Sequence, residues 1–242
     1  MTKQVIVVGL GRFGASVAEE LYQMGHDVLG IDMEEKNVQD MLGHVTYAVK
    51  SDATNEAVLK ELGVSNFDVA VVAIGSDVQA SILVTVLLKE LGIPFIVARA
   101  INEIHGNAIG RVGADKVIYP EQETGRRLAH TGFELGVLDY MEVAPNYGIT
   151  KLRPPDPFVR KTLSEAGLAS PRDKYHVAVL AIRRGREYLL VPSRDEEILP
   201  GDILIVAASN NEISKVHVSA TGGSSRRELG APDRNGNESL VE

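Results

Sequence analysis

The chain of 242 residues contains no cysteine. That absence removes disulfides, thiolate nucleophiles and the thiol ligands of zinc or iron–sulfur centres. Basic charge is also scarce: 25 Lys and Arg stand against 33 Asp and Glu, for a formal net charge of -8. Such a balance argues against a nonspecific nucleic-acid binder, because phosphate backbones are held mainly by Lys and Arg. No run approaches the ~18 apolar residues of a spanning helix. The N-terminus enters a strand without the layout of a signal peptide. The expectation is a cytoplasmic chain that would meet a membrane only through a partner.

Catalytic signatures are missing too. There is no G-x-S-x-G, H-E-x-x-H or G-x-x-x-x-G-K-S/T pattern, and the six histidines fall at no metal-ligand spacing. No residue stands out as the general acid or base of a substrate domain. Binding without turnover is the reading, with a nicotinamide-dependent oxidoreductase as the alternative from another class.

What is present centres on VIVVGLGRFG, Val5 to Gly14. An apolar strand runs into Gly9, Gly11 and Gly14, the G-x-G-x-x-G spacing. In such a loop the first glycine makes the tight turn and the second lets a pyrophosphate approach the backbone. The third allows close packing of the following helix, whose free N–H groups face the anion. A second strand, Val28 to Ile31, ends in Asp32, placed to accept hydrogen bonds from ribose hydroxyls and to disfavour a 2′-phosphate. Within the loop, Arg12 could contact a terminal phosphate, and Phe13 packs the first helix onto the sheet.

Strand and helix signals then alternate at the spacing of a parallel sheet. Strands are expected at 45–50, 68–74, 95–98 and 116–119, giving an open α/β, Rossmann-like, doubly wound sheet. Ligands of such sheets lie outside the carboxyl ends of the strands. That edge collects Asp52, Ala53 and Thr54 after strand three, Ala73, Ile74 and Gly75 after strand four, and Arg99 after strand five. Asp52 and Thr54 could also cap the helix beginning at Asn55. After strand six come Glu121 and Glu123, where Glu121 is a metal-ligand candidate in the presence of nucleotide and both are favourable first-turn carboxylates. The helix over 77–91, with a candidate N-cap at Ser76, is apolar on more than one stripe. It needs burial on a second side, within the domain or against another subunit.

Composition changes beyond Gly136, with the boundary set at residues 137/138. Strands over 138–143, 175–182, 188–191 and 203–207, a short helix over 161–168, a hairpin turn at RRGRE and a turn at LPGD describe a smaller α+β module, 138–219. Residues 220–242 are polar and Gly/Ser-rich, and a disordered tail is expected there.

Together GLGRFG at 9–14, Asp32, SDAT at 51–54, AIG at 73–75, GADKVIYPE at 113–121 and GDIL at 201–204 resemble the RCK, or regulator of potassium conductance, proteins of the Trk and Ktr type. The resemblance covers everything except the tail. It implies a nucleotide-binding lobe with a crossover helix, 1–137, and a small RCK-C lobe. It further implies homodimers assembling into an octameric ring beneath a membrane-embedded potassium channel or transporter, with ATP/ADP or NAD/NADH as ligand; Arg12 and Glu121 make ATP/ADP the main expectation and NAD/NADH the alternative. Gly11 and Arg12 would address phosphates, Asp32 the ribose, and Asp52 with Thr54 the adenosine, while Glu121 would approach a divalent cation. Some relatives bind cyclic di-AMP in the second lobe. The polar segment ASPRDK, 169–174, departs from the family's usual approach to that strand.

Overall fold

The computed structural model describes residues 1–133 and 136–220. The chain divides into two compact units that meet between Thr124 and Gly125.

In the first unit, strands and helices alternate: β1 (Gln4–Val8), α1 (Arg12–Gln23), β2 (Asp27–Asp32), α2 (Glu35–Asp40), β3 (Tyr47–Lys50), α3 (Glu56–Glu61), β4 (Val69–Val72), α4 (Val78–Glu90), β5 (Phe95–Arg99), α5 (Glu103–Val112) and β6 (Lys116–Ile118). All pairings are parallel, in the order β3-β2-β1-β4-β5-β6. The order reverses beside β1, where the chain leaves β3 at one edge and returns to β4 on the other flank. That makes the carboxyl end of β1 and β4 the topological switch point.

Successive strand residues serve opposite faces, as the two-residue period of a strand requires. Ile6 and Val8 of β1 join Ile31, Val72, Ile96 and Ala98 in a core closed by Leu59, Val84, Leu88 and Ile109 from the helices. Val5 and Val7 join Val28 and Val71 on the other face, closed by Ala18 of α1 and Val38 of α2. Burial on both sides explains the near-continuous apolar run of β4. The second side of α4 is met inside the unit, where it packs on α5 as well as on β4 and β5. Leu83 stays 44% exposed. The cap of α4 is Asp77 rather than Ser76, its carboxylate accepting from the Ala80 N–H at 2.9 Å.

Helix α6 (Pro120–Phe133) starts in the first unit and runs into the second. The units meet inside this helix, upstream of the change in composition, because Arg126 and Arg127 pair with Glu142 and Asp139 of the following strand at 2.6 and 3.0 Å. The second unit continues with β7 (Val137–Ala144), β8 (Tyr147–Leu152), β9 (Ala178–Arg184), β10 (Glu187–Leu190), β11 (Ile203–Ser209) and α7 (Asn210–Ala220). Its sheet is antiparallel, in the order β10-β9-β11-β8-β7. Leu152, Ile182, Leu204 and Val206 from the strands bury Phe158, Leu163, Ile198, Ile213 and Val216.

Three local features differ from the sequence-based expectation. β8 forms a hairpin with β7 through Asn146, whose φ of 63° completes the turn after Pro145. Residues 161–168 form turns, not a helix. Two of their backbone donors are spent elsewhere, Leu163 N–H on Glu196 O and Ser164 N–H on Arg194 O, and Gly167 has φ +71°. Finally, α7 occupies a stretch given no element, and Ala220 closes that helix. The rest of the expected tail, 221–242, lies outside the described residues.

Candidate nucleotide-binding cleft

A cavity of about 640 Å³ opens at the carboxyl ends of the first unit's strands, at the switch point. It is lined by Gly9 and Gly11 of the β1–α1 loop and Asp32 at the end of β2. Asp52, Ala53 and Thr54 beyond β3, Ala73, Ile74 and Gly75 beyond β4, and Arg99 at the end of β5 complete the expected set. Arg12, Phe13 and Gly14 do not line it. Glu34, Asn37 and Asp77 do, and none of them was singled out from sequence. Glu34 could have been, since it sits two residues beyond the acid that ends β2.

The three glycines answer different demands. Gly9 has φ +93°, a left-handed conformation that side chains disfavour. A Cβ on Gly14 would lie 1.8 Å from the Gly9 carbonyl oxygen, so that glycine lets α1 pack against the loop. Gly11 has φ -63°, open to any residue, and a Cβ there would meet nothing within 4 Å. The fold makes no demand for glycine at 11, yet the residue faces the cavity. Gly11 also caps α1 without a side-chain hydrogen bond, and the first turn holds no acid. The helix's positive end and its free N–H groups are therefore uncompensated.

Asp32 is held by two backbone donors: Leu10 N–H to Oδ2 at 2.6 Å and Glu34 N–H to Oδ1 at 2.8 Å. An ionised carboxylate has about four acceptor sites, so this fixes its orientation and leaves capacity for hydroxyls. Asp52 accepts from both the Thr54 hydroxyl, at 2.6 Å, and the Thr54 N–H, at 2.9 Å. Those hydrogen bonds, the hydroxyl's first, hold its carboxyl below the usual carboxylate range. Neither residue caps α3, because Asn55 does so itself, accepting from Ala57 N–H at 3.0 Å.

Arg99 is the cation on the cavity wall. Its Nη2 donates to Glu121, in the first turn of α6. Its guanidinium carbon lies 5.9 Å from the centre of the Phe13 ring, and Phe13 also packs against the α1-side core as expected. Arg12 is exposed at the first position of α1. Among the described residues no group of three or more His, Asp or Glu is placed to hold a metal ion. Acids dominate the wall: Asp32, Glu34, Asp52 and Asp77 against Arg99.

Among the described residues no helix is long and apolar enough to cross a membrane. The TrkA-N domain family matches residues 5–120 and the TrkA-C domain family residues 150–218. Ktr system potassium uptake protein C of Bacillus subtilis is 38% identical over 215 residues, 89% of this chain and 96% of that protein. Ktr system potassium uptake protein A of the same organism is 37% identical over 213 residues, covering 88% and 95%. Among solved structures, the GsuK RCK domain has a TM-score of 0.62 at 16% identity, over 93% of this chain and 49% of that one. The GsuK channel bound to NAD has a TM-score of 0.62 at 14% identity, over 93% and 40%. This chain thus spans about half or less of those two, and at such identities the likeness is one of fold. From the two domain matches and the near full-length relatives, the chain belongs to the TrkA/Ktr family of RCK regulatory proteins of bacterial potassium transport.

Proposed function

We propose that this chain is a cytoplasmic, nucleotide-sensing subunit that gates a membrane-embedded potassium channel or transporter, and that the cleft of its first unit takes NAD(H). The observation that carries nucleotide binding is Gly11, a glycine that the fold does not need, at the open, uncompensated start of α1 and on the cavity wall. In this reading the pyrophosphate lies over Gly11, the adenosine ribose meets Asp32, and the adenine side rests by Asp52, Ala53 and Thr54. The charge of the wall favours a dinucleotide over a triphosphate, because four carboxylates and a single arginine repel the more highly charged ligand. The GsuK channel, which shares the fold, takes NAD.

ATP/ADP is the second reading, favoured by Arg12 at the first position of α1. It asks for a divalent cation near Glu121 to offset the added charge. Assembly as homodimers in an octameric ring, and cyclic di-AMP in the second unit, come from the family resemblance alone. Gating follows as a population shift: the ligand moves the assembly only by its difference in affinity for two shapes. Mass spectrometry of the ligand copurified with gently isolated protein, followed by calorimetry with NAD⁺, NADH, ADP and ATP, tests the reading. NAD(H) bound more tightly than ADP or ATP is the expected result. Preference for ATP or ADP replaces it with the second reading, and no uptake of any of the four overturns both.

A further inference from the structure

Arg99 is held on three sides. Phe13 lies by its guanidinium, and Nη1 sits where a Cβ on Gly75 would come within 2.2 Å of it. Its Nε is buried without a hydrogen-bond partner. The remaining contact, Nη2 to Glu121, joins a confined cation to a carboxylate that is 64% exposed. Glu121 is the second residue of α6, and a few residues on, at Gly125, that helix passes from the first unit to the second. A Cβ at 125 would meet nothing within 4 Å, so packing does not demand glycine there, and a glycine inside a helix weakens it.

With adenosine at Asp32 and Asp52 and phosphate over Gly11, the far end of a nucleotide points along the cavity wall toward Gly75 and Arg99. From this the geometry points to a charge-operated latch: an anionic group brought to Arg99 displaces Glu121 and frees the first turn of α6, whereas a neutral group leaves the pair closed. A guanidinium has five N–H donors and can serve two acceptors. Two anions crowded on one guanidinium repel, and the exposed carboxylate is the one free to leave. The latch therefore separates ligands by the charge of their far end: ADP ends there in phosphate, NAD⁺ in a nicotinamide riboside. This rests on nucleotide occupancy of the cleft, and it names how that site discriminates and what it releases.

Coupling is reciprocal, so displacing Glu121 weakens ADP binding by what the pair is worth, and removing the carboxylate returns it. Calorimetry of ADP and NAD⁺ in EDTA, which excludes a cation at Glu121, reads this directly. Glu121→Gln is expected to bind ADP roughly 3- to 10-fold more tightly than the parent, as for a partly exposed ion pair, with NAD⁺ affinity unchanged. Arg99→Gln weakens ADP, and the double variant binds as Arg99→Gln does. Hydrogen exchange over residues 121–133 rises with ADP in the parent, does not rise with NAD⁺, and is already raised in Glu121→Gln. Equal ADP affinity in parent and Glu121→Gln, or an equal gain for NAD⁺, overturns the latch while occupancy stands. If the parent ignores ADP, a gain of ADP binding in Glu121→Gln supports the latch and continued silence overturns it. A parent that takes neither ligand overturns occupancy and latch together.

Discussion

The two units solve the burial of a sheet in opposite ways. The parallel sheet hides both faces under helices, and its polar and charged groups collect at the strand ends, around the cleft. The antiparallel sheet of the second unit carries charge beneath the protein surface instead. Asp202, 1% exposed, receives Arg184 through Nε at 3.0 Å and Nη2 at 2.9 Å, together with the Leu199 N–H at 2.9 Å. Arg184 also reaches Glu196 at 3.0 Å and the Glu197 carbonyl at 2.9 Å. The hydrogen bond to Asp202, and then that to Glu196, push the guanidinium pKa upward. Charge around the first unit's cleft thus lies where a ligand can reach it, while the Arg184–Asp202 pair of the second is spent on holding loops to strands. Substitutions in the two units should accordingly separate binding from stability.

The sharpest break in that contrast is Arg184→Ala. It leaves the Asp202 carboxylate buried with its main cationic partner gone, a change that costs about 3–5 kcal/mol. Denaturant unfolding followed by hydrogen exchange in each unit should show the loss confined to residues 137–216, with nucleotide affinity of the first unit unaltered. Adding Asp202→Leu to Arg184→Met should recover part of the loss, since both members of the charged pair are then gone. A binding defect in Arg184→Ala protein whose first unit is still protected would erase the separation.

Within the first unit the glycines sharpen it further. Gly14→Ala forces a methyl onto the Gly9 carbonyl, and overpacking of this kind costs about 1–3 kcal/mol, so stability and binding should fall together. Gly11→Ala meets no neighbour, and its stability should stay within about 0.5 kcal/mol of the parent. Its nucleotide affinity should nonetheless drop at least about tenfold. Thermal melts beside calorimetry distinguish the pair. A Gly11→Ala protein that binds as the parent does would remove the main support for a nucleotide in the cleft.

The same contrast governs what could be read in advance. Parallel strands buried on both faces announce themselves as apolar runs closed by glycine or acid, as at Val5 to Gly9 and Asp68 to Gly75, and the cleft residues follow from where those runs end. In the second unit the determinants are distant. The sequence at RRGRE reads as a hairpin turn, and its second arginine, Arg184, ends β9 just before that turn, but nothing local says that it is held by Asp202 and Glu196. Residues 161–168 have helical composition, yet the Leu163 and Ser164 amides bond to the carbonyls of Glu196 and Arg194, a partnership visible only in three dimensions. Even in the cleft, the pairing of Arg99 with Glu121 joins positions 22 apart whose separate signals, a strand end and a helix start, gave no hint of contact.

The smallest expected effect lies at the far edge of the parallel sheet, where the first unit borrows the second's strategy of tying elements with a carboxylate. Asp115, just before β6, accepts from the Ile96 N–H of β5 at 2.8 Å and pairs with Lys89 at the end of α4 at 3.2 Å. The Ile96 hydrogen bond, with help from Lys89, holds its carboxyl below the unperturbed value of 3.8. A carboxyl whose folded pKa is depressed adds stability that is present above its unfolded pKa and lost as pH falls through the folded one. Both partners are partly exposed, so the gain is below about 1 kcal/mol. Asp115→Asn keeps an acceptor for Ile96 but gives up the charge. The stability gap between parent and variant should therefore be constant from pH 7 down to about pH 4 and close below it. A gap that persists unchanged well below pH 4 would mean that Asp115 acts through shape alone, and that the parallel unit keeps none of its stability in paired charge at this edge.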